Sequence, residues 1–249
     1  MIRVGFKSDV GMKRQKNEDS CFIMPNEQVY MVADGVGGEN TGERASGMVV
    51  TSIAQNIKKS KMIRLKDEDD ICRELNSFIE KANTEIREYA FEHTECFGMA
   101  TTVVVCYIKN NIAYFANAGD SRAYIYRKGQ LYQVTEDHSY VNFLVKKGLI
   151  SLDEAKTHEN RNKITKAVGA DATVEADYYQ TEIIDDDRII LCSDGLYGEL
   201  TDEELCLLIR SEDNMSKLAE KMVIAANLHG GRDNITVVCL KVEGGSWNE

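Results

Sequence analysis

The chain has 249 residues, of which 43% are hydrophobic, and a formal net charge of −11 at pH 7. That length and apolar content suffice for one large domain or two small ones with a sizeable core. The acidic balance argues against nucleic-acid binding, which relies on clustered Lys and Arg.

Domain organisation and compartment are inferred from the overall composition. No Gly- or Ser-rich linker, low-complexity tract or internal repeat divides the sequence, so we expect one domain over residues 1–249. No apolar stretch reaches membrane-spanning length, and the seven cysteines form no Cys-x-x-Cys pair. We therefore expect a cytoplasmic protein that does not insert into a membrane and has no disulfides.

The first predicted element is a strand, because residues 1–7 alternate between apolar and polar side chains and do not resemble a signal peptide. A polar segment follows, in which Arg14 precedes the triplet Asn17-Glu18-Asp19. A guanidinium can hold two phosphate oxygens in a bidentate fork, and Glu18 or Asp19 can reach metal ions directly or through waters. A solvated charged turn is the alternative for this segment taken alone.

Two apolar runs, residues 28–33 and 188–193, each stop at an Asp-Gly pair. Each run is typical of a buried strand that places a carboxylate at its end, Asp34 in the first case and Asp194 in the second. The neighbouring glycines tolerate tight turns and let backbone carbonyls approach an ion or a phosphate.

Asp120 and Asp233 occupy the same kind of position. Asp120 lies between two predicted strands, and Asp233 precedes the apolar run 235–240. A carboxylate at a buried strand end is costly to desolvate unless it gains a partner, most simply a metal ion. Mg²⁺ and Mn²⁺ prefer carboxylate and carbonyl oxygens. A single Asp-Gly pair is also ordinary turn chemistry, but four such acids together favour a site for hard cations.

The rest of the chain mixes strands and helices without strict alternation. Short breaks between β-rich runs permit only antiparallel pairing, and the capping boxes Ser151–Glu154 and Thr201–Glu204 each predict a helix start. The pattern predicts an α+β fold, with antiparallel sheets packed against separate helical layers. Predicted strands cover 99–108, 111–118, 121–127 and 130–134; predicted helices cover 43–57 with Asn40 as a cap, a long stretch that opens at 67–70 and carries Ile71 to Tyr89, 140–147 and 217–228.

Seven motifs in a fixed order carry a family resemblance. The chain resembles the metal-dependent protein serine/threonine phosphatases, the PPM or type 2C family, in their compact bacterial form. The resemblance runs from about residue 3 to residue 242. The motifs are Gly-x-x-Arg-x-x-Asn-Glu-Asp at 11–19, Val-Ala-Asp-Gly-x-Gly-Gly at 32–38, Gly-Met-Ala-Thr-Thr at 98–102, Gly-Asp-Ser-Arg-Ala at 119–123, Asp-His-Ser at 137–139, Cys-Ser-Asp-Gly at 192–195 and Gly-x-Asp-Asn-Ile-Thr at 231–236.

The resemblance implies a sandwich of two antiparallel β-sheets flanked on both sides by helices, with a metal cleft at one sheet edge. It also implies metal ligands. Asp34 would bridge two Mn²⁺ or Mg²⁺ ions, and the Gly35 carbonyl would be a ligand to one of them. Asp194 and Asp233 would complete the coordination of the other ion.

Further roles are implied for the N-terminal segment and for a third ion. Glu18 and Asp19 would bind or orient metal-bound water, and Arg14 would hold the substrate phosphate. A third, weaker ion would use Asp120 and Asp194. Water shared by the two core ions would then attack phosphorus directly, without a phosphoenzyme.

The implied activity is hydrolysis of phosphoserine and phosphothreonine in proteins, in opposition to a bacterial Ser/Thr kinase, by an enzyme that we expect to be a monomer. The basic stretch 156–166 corresponds to a flap beside the cleft in this family. Within it, His158, Arg161 and Lys163 are candidates for recruiting phosphorylated segments, with ordinary surface charge as the alternative.

Two positions depart from the family pattern. Val36 stands where many eukaryotic members place a histidine assigned as general acid, so the leaving group must gain its proton elsewhere, for example from water on a third ion. Glu39 replaces a histidine common in bacterial relatives.

Two other functions are compatible with this resemblance. One is a binding module that has lost catalysis, which the presence of Asp34, Asp194, Asp233 and Arg14 argues against. The other is a phosphatase dedicated to one regulatory protein, such as an anti-sigma antagonist, although relatives of that kind usually carry sensory domains. A cysteine phosphatase is excluded because none of the seven cysteines is followed by Arg six residues later.

Overall fold

The computed structural model describes residues 1–37, 41–60, 62–65 and 67–244. Glu39 and the predicted helix cap Asn40 lie outside the described residues. The strands, in chain order, are β1 (Ile2–Asp9), β2 (Asp19–Met24), β3 (Val29–Val36), β4 (Ala100–Thr101), β5 (Val103–Lys109), β6 (Ile112–Ala118), β7 (Arg122–Arg127), β8 (Gln130–Gln133), β9 (Asp177–Glu182), β10 (Arg188–Cys192) and β11 (Ile235–Val242).

The predicted helices form close to their expected bounds. Asp67 caps the long second helix by accepting hydrogen bonds from the backbone of Asp69 and Asp70. The two predicted capping boxes, at Ser151 and Thr201, are both present. The α-helices are α1 (Thr41–Lys59), α2 (Glu68–Glu92), α3 (Tyr140–Lys146), α4 (Leu152–Thr157), α5 (Asp194–Tyr197), α6 (Asp202–Ser211) and α7 (Met215–His229).

The strands form two antiparallel sheets. The first sheet has the order β1-β11-β10-β7-β8, and the second has the order β2-β3-β5-β6-β9, with β4 paired to β3. Apolar side chains such as Tyr30, Phe115 and Leu191 fill the space between the sheets. This arrangement confirms the predicted α+β sandwich.

Helices cover the outer face of each sheet. α1 and α2 pack on the second sheet, where Ile53 and Ile79 are fully buried. α5, α6 and α7 cover the first sheet around buried residues such as Leu196 and Met222. The layer order is therefore helix, sheet, sheet, helix.

Two details differ from the sequence prediction, and both concern the site. β3 does not end at Asp34 but continues to Val36, because β4 supplies a partner for its last residues and pairs Gly35 with Thr101. The short connection between β6 and β7 does not form a hairpin. Its three residues, 119–121, carry the chain from the second sheet to the first, and Asp120 lies at this crossing.

Candidate active site and metal centre

A cavity of about 260 Å³ lies where the two sheets meet at one edge. Its walls carry residues from both sheets, from the crossing between them and from the loop before β9. The lining residues are Arg14, Glu18, Asp34, Gly35, Val36, Gly37, Thr102, Asp120, Asn162, Ile164, Asp194, Asp233 and Asn234.

The second sheet brings Asp34 to the cavity and fixes its backbone. The N–H of Asp34 donates to Thr102 Oγ1 at 2.9 Å, and its carbonyl accepts from Thr101 Oγ1 at 2.9 Å and from the Thr102 N–H at 2.8 Å. Gly35 follows because a Cβ at this position would lie 2.0 Å from the carbonyl oxygen of Gly42 in the first turn of α1. Close packing therefore requires glycine directly after Asp34.

Glu18 lines the cavity beside the start of α1. The N–H of Gly42 hydrogen-bonds the Glu18 side chain, which lowers its pKa, but partial burial is the larger effect and raises the pKa overall. The Glu18 carbonyl accepts from the Gly35 N–H at 3.1 Å and from Ser46 Oγ at 2.6 Å.

The first sheet contributes Asp194 and Asp233. β10 and β11 are antiparallel neighbours, so the end of one strand lies beside the start of the other. Asp194 begins α5 directly after β10, and Asp233 precedes β11. Asp233 Oδ2 accepts a 2.7 Å hydrogen bond from Arg14 Nη2, so Arg14 lies against a predicted metal ligand.

Asp120 reaches the cavity from the crossing between the sheets. Its carbonyl accepts a 2.9 Å hydrogen bond from the Tyr197 hydroxyl. The guanidinium of Arg122 stacks on the Tyr197 ring at 3.5 Å and holds both carboxylate oxygens of Asp137 at 2.8 and 2.6 Å. This polar network fixes the backbone on which Asp120 stands.

Asp19 lies directly opposite Asp34 in the β2–β3 pair, but it does not line the cavity. It is buried, and its Oδ2 accepts a 2.6 Å hydrogen bond from Ser193 Oγ of the first sheet. The structure thus places Asp19 behind Asp34.

Burial and repulsion from neighbouring acids raise the pKa of four of these carboxyl groups, Asp19, Asp34, Asp120 and Asp194. Burial is the main cause, and it raises the pKa of Asp19 to about 7, of Asp120 to about 8 and of Asp194 to about 6. The pKa of Asp34 lies well above its usual value because of burial and the charges of its four acidic neighbours Asp19, Asp194, Asp120 and Asp233. Without a counter-charge, the ionised site is electrostatically unfavourable.

The donor set fits a divalent cation. Oδ1 of Asp19 and Oδ1 of Asp194 are buried without a hydrogen-bond partner, which is costly unless a cation or water reaches them. Among the described residues, no three His, Cys, Asp or Glu side chains already converge closely enough to enclose one ion. Asp34, Asp120, Asp194 and Asp233 line the cavity instead, and a cation there would supply the missing partner for Asp194 Oδ1.

The three flap candidates do not line the cavity. His158 ends α4 and accepts a hydrogen bond at Nδ1 from the Asn160 N–H at 3.0 Å, and Lys163 lies over the Tyr140 ring at 5.6 Å. Arg161 is exposed. The same loop instead presents Asn162 and Ile164 to the cavity.

Sequence analysis missed the hydroxyl groups that support the acids. Thr102 and Ser193 are both buried and bind the backbone of Asp34 and the carboxylate of Asp19. Both lie in motifs that the sequence analysis quoted, at 98–102 and 192–195, so their position beside the acidic motifs was the available signal.

In the described part of the chain, no helix is both long enough and apolar enough to cross a bilayer.

Comparisons with known proteins agree with this geometry. Residues 12–229 match the family model described as Protein phosphatase 2C. The chain is 34% identical to the serine/threonine phosphatase stp of Listeria monocytogenes over 239 aligned residues. The alignment covers 95% of this chain and 94% of that protein.

Two solved structures are similar over nearly the whole chain. The serine/threonine phosphatase of S. agalactiae has a TM-score of 0.91 and 30% identity, covering 98% of this chain and 100% of that one. The catalytic domain of the phosphatase PstP, solved in complex with two manganese ions, has a TM-score of 0.86 and 30% identity, covering 98% of this chain and 99% of that one.

Proposed function

Since the chain belongs to the protein phosphatase 2C family and is a protein serine/threonine phosphatase, we propose that it hydrolyses phosphoserine and phosphothreonine by a metal-dependent direct displacement. The observation that carries this proposal is the convergence of Asp34, Asp120, Asp194 and Asp233 on one cavity. Burial and repulsion from neighbouring acids raise the pKa of Asp34, Asp120 and Asp194, so a cation would be needed for these three acids to be ionised together near neutral pH.

Asp34, the Gly35 carbonyl, Asp194 and Asp233 would hold two Mn²⁺ or Mg²⁺ ions, and Glu18 and Asp19 would orient water near them. Bound divalent ions supply an activated water for attack on phosphorus and neutralise charge on the phosphoryl oxygens. The two manganese ions in the similar PstP structure support this assignment.

Arg14 would orient the substrate phosphate. Its guanidinium is half exposed at the cavity and is already held at one end by Asp233. A planar fork fixed in this way can offer its remaining N–H groups to phosphate oxygens in a defined direction.

Asp120 and Asp194 would hold a third, weaker ion that supports protonation of the leaving group, because Val36 cannot donate a proton. Asp120→Ala should therefore reduce phosphopeptide turnover at low metal concentration. Turnover equal to that of wild type at every metal concentration would contradict this role.

The biological setting is inferred from the family. We infer that residues 1–249 form one catalytic domain of a cytoplasmic monomer that acts on phosphoproteins and opposes a Ser/Thr kinase. The net charge of −11 would repel such anionic substrates at long range, and bound divalent ions would reverse that repulsion locally.

The decisive experiment is dephosphorylation of a phosphothreonine peptide with Mn²⁺, with a chelator, and by Asp34→Ala. We expect activity only for the wild type with Mn²⁺. Asp171→Ala changes an exposed acid outside the cavity and should retain activity. Activity that survives both chelator and Asp34→Ala would overturn the proposal, and its absence in the wild type with Mn²⁺ would favour a binding module.

A further inference from the structure

Thr102 forms hydrogen bonds with both the backbone N–H and the backbone carbonyl of Asp34. Its Oγ1 accepts the Asp34 N–H at 2.9 Å, and its own N–H donates to the Asp34 carbonyl at 2.8 Å. Thr102 is 1% exposed, so water does not compete for these bonds. The orientation of the Asp34 backbone therefore depends on the position of Thr102.

The same hydroxyl reaches the crossing that carries Asp120. Thr102 Oγ1 and Ser121 Oγ are 2.6 Å apart in a fully buried hydrogen bond. Ser121 directly follows Asp120. The two hydroxyls thus form a continuous link from the Asp34 N–H to the residue beside Asp120.

The crossing is held by hydrogen bonds of its own, so this end of the link is anchored. The Gly119 N–H donates to His138 Nδ1 at 3.0 Å, and the Gly119 carbonyl accepts from the His138 N–H at 3.0 Å. Tyr197 holds the carbonyl of Asp120. These hydrogen bonds fix the backbone on both sides of Asp120, so its position is tied to that of Ser121.

Close packing supports the link. Gly119 adopts a φ of +119°, and a Cβ there would lie 2.5 Å from Thr102 Cβ. The crossing therefore packs directly on Thr102. Glycine is required at 119 both by its backbone conformation and by this contact.

We propose that the Thr102–Ser121 hydroxyl pair is a positioning device that fixes the separation between Asp34 and Asp120 for cation binding. The inference rests on the proposed function, because it assumes that both acids serve divalent ions. Neither hydroxyl need touch an ion. Groups that orient metal ligands typically change metal affinity about 10- to 100-fold when they are removed.

The test is calorimetric titration of the chelator-treated full chain with Mn²⁺. Thr102→Val keeps the shape of the side chain but removes the hydroxyl, and we expect about 10- to 100-fold weaker binding. Thr102→Ser should bind Mn²⁺ with an affinity close to that of wild type, because it keeps the hydroxyl. Ser121→Ala should weaken binding less, and it should add little in the Thr102→Val background because both changes break one link.

Thr135→Val is the matched control. Thr135 is also buried, and its Oγ1 accepts the Ala123 N–H at 2.9 Å, but it does not line the cavity. The Thr135→Val variant should have a lower free energy of unfolding in chelator but the same affinity for Mn²⁺ as wild type. If Thr102→Val does not fold, Ser121→Ala still tests the link through Mn²⁺ affinity, because it breaks the same hydrogen bond.

The outcomes separate this inference from the proposed function. Wild-type affinity in folded Thr102→Val or Ser121→Ala, or binding by Thr102→Ser as weak as by Thr102→Val, would overturn the positioning role alone. A wild-type chain that binds no Mn²⁺ would overturn the proposed metal site and this inference together.

Discussion

Ser193 joins the two sheets at the candidate site by donating a 2.6 Å hydrogen bond from Oγ to Oδ2 of Asp19. Ser193 Oγ also accepts a hydrogen bond from the Thr236 N–H at 3.0 Å. Asp19 belongs to the second sheet, whereas Ser193 follows β10 of the first. One hydroxyl thus satisfies a buried carboxylate and a buried backbone group from opposite sheets.

Ser193→Ala should lower the free energy of unfolding by about 2–3 kcal/mol, because it removes a hydrogen bond from the buried Asp19 carboxylate and leaves the buried Thr236 N–H without its acceptor. Urea denaturation in chelator measures this loss. Ser211→Ala removes an exposed hydroxyl that donates to the Leu208 carbonyl, and it should change stability by less than about 0.5 kcal/mol. Equal effects from the two substitutions would contradict the role of Ser193.

Stability without metal should fall as pH rises from 5 to 8. The pKa values of Asp194, Asp19 and Asp120 are raised to about 6, 7 and 8, whereas an unfolded Asp titrates near about 3.9. At pH values between the unfolded pKa and the folded pKa of each group, the folded chain therefore binds more protons than the unfolded chain. The resulting stabilisation is complete below about pH 4 and is lost as pH rises through the folded pKa values.

Thermal unfolding in chelator at pH 5, 6, 7 and 8 tests this sign. Added Mn²⁺ should raise the melting temperature more at pH 8 than at pH 5, because the ionised acids then have a counter-charge. A melting temperature in chelator that rises steadily from pH 5 to pH 8 would contradict the raised pKa values.

Asp34→Asn should stabilise the metal-free chain while abolishing function. The substitution removes a buried charge that four acids repel, so we expect a gain of about 1 kcal/mol at pH 8, or roughly 2–4 °C in melting temperature. Stabilisation by Mn²⁺ should disappear, and phosphopeptide turnover should fall more than about 100-fold. Asp171→Asn is the control, and a destabilised, active Asp34→Asn would contradict both expectations.

Arg14 should act through its geometry as well as its charge. We expect both Arg14→Ala and Arg14→Lys to lower kcat/KM for a phosphopeptide about 10- to 100-fold, because an ammonium cannot form the bidentate fork. Its pair with Asp233 is half exposed, so stability should change by less than about 1 kcal/mol. Full activity of Arg14→Lys would exclude a bidentate role, and Lys13→Ala controls for the loss of a neighbouring positive charge.

Charge reversal at Arg161 and Lys163 tests the flap. Arg161 and Lys163 are sequence neighbours of Asn162 and Ile164, which line the cavity, but they do not line it themselves. They should therefore affect only substrates that are large enough to reach them. We expect KM to rise for a phosphopeptide and to stay unchanged for a small aryl phosphate. Lys58→Glu, at the far end of α1, is a charge-matched control, and equal effects on the two substrates would exclude recruitment by the flap.

The sequence by itself determined the local features of this protein. Alternation predicted the first strand, apolar and β-rich runs predicted the later strands, and the side chains of Ser151 and Thr201 predicted two helix starts. These features depend on neighbours within a few residues, so they can be recognised without the fold. The sandwich itself was implied by the family resemblance that the ordered motifs carry. The sequence also indicated Asp34, Asp120, Asp194 and Asp233 as acids near strand ends.

Only the tertiary structure decided how these acids are arranged. It placed Asp19 behind Asp34 and against Ser193, directed Arg14 to Asp233, and brought Asn162 and Ile164 to the cavity in place of the basic flap residues. Such contacts join segments far apart in the chain. They depend on the register of strand pairs and on how closely one sheet packs against the other, which no local pattern encodes.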